Sequence, residues 1–280
     1  MIVDAHQHFI FPSRIHYPWL ESDALAPLHH DFTPLELLLE LEDCGVTHTV
    51  LVQTRHSLEE THEFLQIASD TPFVAGVVGW VDLTDPQLED GLRVLLETEP
   101  GRWLKGVRHQ LQEEPDPNWL LREDVQRGLD TLESFGLVYD FVCSSREYSA
   151  CLETAKRHPS LRFVLDHLGK PDIVAGDIAL WLEDMRRFAA LDNVSVKISG
   201  LTTQADWQRW MPADLEPYVR AALELFGAER CMYGSDYPVC LLAGRYADLL
   251  DLLGNVLSVQ QRAAVLAGTA LKTYHLLERL

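Results

Sequence analysis

Eight short runs rich in β-branched and aliphatic residues recur along the chain, and the segments between them carry the spacing of amphipathic helices. The runs cover residues 2–8, 47–54, 73–83, 104–111, 137–143, 162–168, 193–201 and 231–237. Near-continuous apolar strands separated by helices imply parallel strands, because a parallel neighbour needs a crossover long enough to hold a helix. Eight such units in 280 residues predict an α/β fold, a closed (β/α)8 TIM barrel over residues 1–280 as one domain. The competing open, doubly wound sheet usually has a Gly-rich turn after its first strand, and that position here reads His6-Gln7-His8-Phe9.

The helical segments carry their own start and stop signals. Thr33-Pro34-Leu35-Glu36 predicts a capping box with proline at N1, and Gly45 marks the far end. Ser57-Leu58-Glu59-Glu60 repeats the box, and Asp85-Pro86 opens a third helix. Further helices are predicted over 119–135, 145–158, 178–191 and 212–226, then over 241–253, 258–266 and 270–280. The longest irregular stretches, 9–32 and 112–118, directly follow strands, which in a barrel puts them on the face where loops shape a substrate pocket.

With 23 Lys and Arg against 43 Asp and Glu, the net charge of −20 gives no electrostatic footprint for nucleic acid or anionic lipid. No apolar stretch approaches the ~20 residues of a membrane span. Five cysteines without a CxxC pair suggest neither a disulfide scaffold nor a zinc ribbon, and the opening MIVDAHQHF lacks the pattern of a secretory signal, so a reducing cytoplasmic setting is expected. Nothing in the composition argues against a homo-oligomer.

The residues with chemical potential sit at predicted strand ends. His6 and His8, two apart on one strand, project together, with Asp4 expected one step deeper. Two imidazoles there can bind a divalent metal or donate to a developing oxyanion; otherwise they are ordinary strand histidines. His167 ends the sixth strand, with Asp166 expected on the opposite face, and Asp236 lies just before the break at Pro238, as a rim carboxylate or a turn residue. In a closed barrel, strands one and eight are neighbours, so Asp236 can approach His6 and His8 while His167 faces them. Arg108 and His109 point to opposite sides of the fourth strand, so only one is expected to face the lumen. Arg108 suits a carboxylate or vicinal hydroxyls, or a structural ion pair. Trp19 can stack on a sugar ring or pack its own loop. Lys170 and Lys197 are expected to be exposed, and Glu59, Glu60 and Glu63 to form solvated helix faces.

In the order HQHF, GVRHQL, FVLDHLGKP, VKISGL and YGSDYPV, these segments resemble the sugar-lactonase branch of the amidohydrolase superfamily, over essentially the whole chain. That branch includes L-fuconolactonases and L-rhamnonolactonases and is related to 2-pyrone-4,6-dicarboxylate hydrolase. The resemblance implies an amidohydrolase-like barrel that opens a sugar-acid lactone. Asp236 would be the general base, and His6, His8 and His167 would polarise the carbonyl. Binuclear relatives bridge two metals through an acid or carbamylated lysine on strand four or five, and the fifth strand here offers only Asp140 in Val138-Tyr139-Asp140-Phe141. His6, His8 and Asp236, with or without His167, can therefore hold at most one loosely bound ion, zinc before others, and the link to the dicarboxylate hydrolase equally implies no essential cofactor. Arg108, His109, Trp19 and Asp140 are the candidate substrate-binding residues. No GxSxG elbow suggests a serine mechanism. A lactone isomerase, a decarboxylase and a non-catalytic sugar-acid binder are the alternatives, and the sequence does not choose the sugar.

Overall fold

A computed structural model describes residues 1–276, and positions 277–280 of the helix expected at 270–280 lie outside the described residues. Eight strands pair in chain order: β1 Val3–Gln7, β2 His48–Val52, β3 Val74–Gly79, β4 Leu104–Gln110, β5 Val138–Val142, β6 Phe163–Leu165, β7 Val194–Ile198 and β8 Cys231–Tyr233. Each consecutive pair is parallel. The ring is drawn together just past the end of β8, where Asp236 N–H donates to His6 O at 2.8 Å and His8 N–H to Tyr237 O at 2.7 Å. Each expected strand is present, and β6 and β8 stop earlier than the apolar pattern suggested.

Helices fill the crossovers: α1 Pro34–Cys44, α2 Leu58–Asp70, α3 Leu88–Glu97, α4 Glu123–Ser134, α5 Tyr148–Arg157, α6 Ile178–Ala189, α7 Pro212–Phe226 and α8 Ala247–Val256. The Thr33 box forms, with Thr33 N–H donating to Glu36 at 2.9 Å, and Gly45 ends α1 at φ 66°, where a Cβ would be strained. The second box forms only in part. Ser57 accepts from Glu60 N–H at 3.2 Å, but the Glu60 carboxylate turns inward to the N–H groups of Thr54 and Arg55 at 2.7 and 3.0 Å. Glu60 is therefore buried, contrary to its reading as a solvated acid, and it braces the loop after β2. Asp85 accepts from Gln87 N–H at 2.8 Å, so α3 begins after a turn rather than at Pro86.

The apolar side chains divide into two layers. Leu37, Leu65, Leu92, Leu129, Met185 and Val219 from the helices pack against outward strand residues such as Leu51, Val107 and Phe141. Val3, Ala5, Val50, Val52, Val138, Val164 and Met232 pack with Tyr274 and Leu276 from the C-terminal segment. Each fully buried Val or Leu contributes about 1.5–3 kcal/mol, so this inner plug leaves only the C-terminal end of the barrel for polar chemistry.

A register shift between Asp4 and Gln7 breaks the alternation of β1. Asp4 does not lie below His6 as expected: it accepts from Ser235 N–H at 2.8 Å, Ser235 Oγ at 2.6 Å and Tyr246 OH at 2.9 Å, which ties β1 to the segment after β8.

Candidate active site

Six strands send polar side chains to one end of the lumen. The irregularity in β1 leaves His6 and His8 facing each other, with Nε2 atoms 3.1 Å apart. After β6 the chain makes a left-handed turn, with His167, Leu168, Gly169 and Lys170 at φ 55°, 50°, 73° and 60°. Non-glycine residues pay about 1–2 kcal/mol each for that conformation. It replaces strand alternation, so Asp166 and His167 both face the site, whereas the sequence pattern put them on opposite sides. Asp236 is also left-handed, at φ 62°, which aims its carboxylate back at the histidines. Gly200, at φ 61°, lies so close that a Cβ would sit 2.6 Å from His167 Nδ1 and 3.0 Å from Asp236 Oδ2.

Asp236 Oδ1 lies 3.7, 3.5 and 3.9 Å from the Nε2 atoms of His6, His8 and His167. Val52 O, which can only accept, is 2.8 Å from His8 Nδ1, so His8 carries its proton there and presents a lone pair at Nε2. His6 Nδ1 stands between Asp166 Oδ1 and Lys197 Nζ, each at 3.3 Å, while His167 Nδ1 is held by Ser199 Oγ at 2.9 Å. Burial, aided by Lys197, keeps His6 well below the ordinary histidine range against the pull of Asp166. Burial lowers His167 to about 4, against Asp236 and Asp166. Burial opposes ionisation of Asp236, but His167, His8 and His6 outweigh it and hold this carboxyl well below the usual range. At neutral pH the Asp236 carboxylate is ionised and His6 and His167 are neutral.

That donor set fits a single divalent ion. A tetrahedron of ~2.1 Å bonds puts its ligand atoms roughly 3.4 Å apart, close to the separations around Asp236. His6, His167 and Asp236 form one compact potential ligand group, with all ligand atoms within 4.8 Å of one another, and His8 stands beside it.

Beneath the histidines lies a charged floor. Lys197 Nζ is 2.6 Å from Asp140 Oδ2 and 3.0 Å from Asp166 Oδ1, and Tyr274 OH donates to Asp140 at 2.7 Å. Lys197 is thus fully buried rather than exposed, and Asp140, whose carboxyl burial raises, has its oxygens engaged by Lys197 and Tyr274. Arg108 faces the lumen as the sole member of its pair to do so. Its Nη1 reaches Asp166 at 3.0 Å and His6 Nε2 at 3.3 Å, and its Nε and Nη2 reach Gln53. Its five N–H groups are thereby spoken for by protein atoms, which makes Arg108 a positioning residue more than an open substrate clamp.

Above the centre is a cavity of about 180 Å³ whose wall includes His8, His167, Asp236, Arg108, Trp19, Gln110, Gln112, Glu113, Lys170, Thr203 and Gln204. Trp19 is where its sequence reading put it, on this wall. His109 is not. It stacks between His56 and Trp119, with centroids 3.8 and 3.9 Å away, outside the cavity. His56, His109 and Glu114 also offer ligand atoms within 4.8 Å of one another. Their protons close that group, however: Trp80 Nε1–H donates to His109 Nδ1 at 3.2 Å, His109 Nε2–H is left to meet Glu114 at 2.8 Å, and Gln110 N–H occupies His56 Nε2 at 2.9 Å. Sequence reasoning missed Asp166, Ser199 and Gly200 as site residues. Lys197 had left a signal, a lysine inside the apolar run Val194-Ser195-Val196-Lys197-Ile198.

A parallel eight-stranded barrel with a histidine pair on its first strand, a histidine after its sixth and an aspartate after its eighth defines a class of barrel enzymes. A family match to Amidohydrolase runs over residues 3–276, and the chain belongs to that family. It is 36% identical to an L-fucono-1,5-lactonase of Burkholderia multivorans, over 99% of this chain and 96% of that one. An L-fucono-1,5-lactonase of Burkholderia ambifaria is 37% identical, with 98% and 95% covered. The crystal structure of an amidohydrolase from Burkholderia multivorans with bound zinc superimposes with a TM-score of 0.91 at 35% identity, covering 98% of this chain and 99% of that one.

Proposed function

We propose that the protein hydrolyses a sugar-acid lactone of the L-fucono-1,5-lactone type. The observation that carries this reading is the convergence of the Asp236 carboxylate with three imidazole nitrogens at the base of a cavity rich in hydrogen-bonding side chains. The two lactonases at 36% and 37% identity support it.

Asp236, ionised at neutral pH, accepts a proton from water as the water oxygen bonds to the lactone carbonyl carbon. As the ring C–O bond breaks, the same carboxyl returns the proton to the departing alkoxide. The product is an open-chain hydroxy acid, which ionises and releases one proton to solvent. His8, held by Val52, and His167, held by Ser199, orient the carbonyl and the water. Arg108 and Lys197 fix Asp166 and His6, and Trp19, Gln110 and Gln204 contact the sugar hydroxyls. His6, His8, His167 and Asp236 would hold one divalent ion, and zinc there supplies Lewis-acid polarisation of the carbonyl oxygen.

Purified protein should release acid from L-fucono-1,5-lactone, followed with a pH indicator above the spontaneous rate. A panel of aldonolactones giving no acid would overturn the reading, and a second lactone appearing in place of acid would redirect it to isomerisation.

A further inference from the structure

Among the described residues, Arg108, Lys170 and Lys197 bring cationic side chains to the polar end of the barrel, and two of them have counter-ions. Arg108 pairs with Asp166 at 3.0 Å and Lys197 with Asp140 at 2.6 Å. Lys170 differs. Its ammonium donates to the neutral Oε1 of Gln112, and among the described residues no carboxylate oxygen lies within 4.0 Å of it. It is half-buried on the cavity wall that also carries Asp236 and His167. Its backbone is left-handed at φ 60° and ψ 66°, with its N–H bonded to His167 O at 2.9 Å, so the turn that presents His167 also presents this lysine. A cation partly removed from water without a fixed counter-charge is costly, and an anion entering the cavity removes that cost. Of the two acids on the wall, Glu113 is engaged by Gln110 Nε2 at 3.2 Å, and Asp236 faces His6, His8 and His167 at 3.5–3.9 Å.

We infer that Lys170, oriented by Gln112, is the carboxylate-binding residue of this cavity. The inference rests on the lactonase reading for its choice of ligand. Lactone opening turns a neutral ester into a carboxylate: the water oxygen bonds to the carbonyl carbon, the ring C–O bond breaks, and one proton leaves to solvent, so a full negative charge appears in the cavity. Lys170 receives that charge, and it equally receives a carboxylate already present on a lactone derived from a sugar diacid. The ligand class is therefore a hydroxylated carboxylate of single-sugar size.

The test is calorimetric binding of L-fuconate and of L-fucitol, its neutral counterpart, to the wild type, Lys170→Met and Lys170→Arg. Losing a charge-assisted hydrogen bond should weaken L-fuconate about tenfold or more in Lys170→Met, leave L-fucitol within about twofold, and be largely reversed in Lys170→Arg. Glu113→Gln, which removes a competing negative charge, should bind L-fuconate at least as tightly as the wild type. Unchanged L-fuconate binding in Lys170→Met, equal loss of both ligands, or a wild type that does not prefer L-fuconate would each overturn the inference. Two kinetic arms separate the sources of the charge. Relief of inhibition by L-fuconate in Lys170→Met marks the newly formed carboxylate, and a raised KM confined to a diacid-derived lactone marks one already on the substrate. The binding readout needs no turnover, so a protein that opens no lactone yet binds L-fuconate through Lys170 would sink the proposed activity and leave this inference standing.

Discussion

Lys197 Nζ lies 2.6 Å from Asp140 Oδ2 with neither side chain exposed to solvent. The pair stands at the level where the apolar plug gives way to the reactive end of the barrel. Through Asp166, 3.0 Å from the same ammonium, and through its own 3.3 Å approach to His6 Nδ1, it holds the His6 ring in place. His6 thus rests on an ionic floor, and the floor rests on Tyr274, which follows all eight strands.

Breaking this pair from one side should be costly. Lys197→Met leaves Asp140 and Asp166 buried without their shared cation, and such losses typically cost 3–5 kcal/mol. Urea unfolding should show that drop, and Lys197→Met with Asp140→Leu should recover part of it. A single variant as stable as the wild type would mean that the pair contributes nothing to the floor.

Asp236→Asn keeps the shape of the side chain and removes the proton acceptor. Turnover of lactone should fall by about 10²–10⁴, with thermal stability close to that of the wild type. Near-native turnover in a folded Asp236→Asn protein would take Asp236 out of the mechanism.

Zinc titration followed by native mass spectrometry should reach one ion per chain and no more. His8→Asn and His167→Asn should each weaken that binding, because both imidazoles face Asp236 Oδ1 within 3.9 Å. Prolonged chelation should remove the ion, and some activity should survive. Two tightly held ions per chain would contradict the single donor set.

Burial holds His109 and His56 at about 4, down from an ordinary 6.5. The fold therefore keeps both rings neutral where the unfolded chain takes up protons. Their contribution to stability is complete above about pH 6.5 and is lost as pH falls toward 4. For the well-buried His109 the loss is on the order of 1–3 kcal/mol. Urea midpoints between pH 7.5 and 4.5 should drop less in His109→Gln than in the wild type, and parallel slopes would refute the assignment.

The barrel was legible because its signal is repetition. Eight apolar runs and their crossovers report on burial, which depends on composition over several residues and tolerates local irregularity. His6, His8 and Asp236 were legible because polar residues at strand ends stand out against that background. What escaped notice depends on single backbone angles. Nothing in Asp166-His167-Leu168 announces a left-handed turn, so alternation put Asp166 on the wrong face, and the shift within β1 misplaced Asp4 in the same way. Lys170, Lys197 and Glu60 were misjudged for another reason: charged side chains are usually solvated, and only the packed neighbours show which ones are not.

The two hydrogen bonds that draw the ring together, Asp236 N–H to His6 O and His8 N–H to Tyr237 O, join residues from opposite ends of the chain. On the ribosome the histidine pair emerges with the first strand, and Asp236 emerges only after seven further strands. No nascent fragment ending before Asp236 contains the complete cluster of three histidines and their carboxylate. The cluster is therefore completed in one step late in synthesis, and a chain terminated before Asp236 carries the loops of the cavity without the carboxylate at its base.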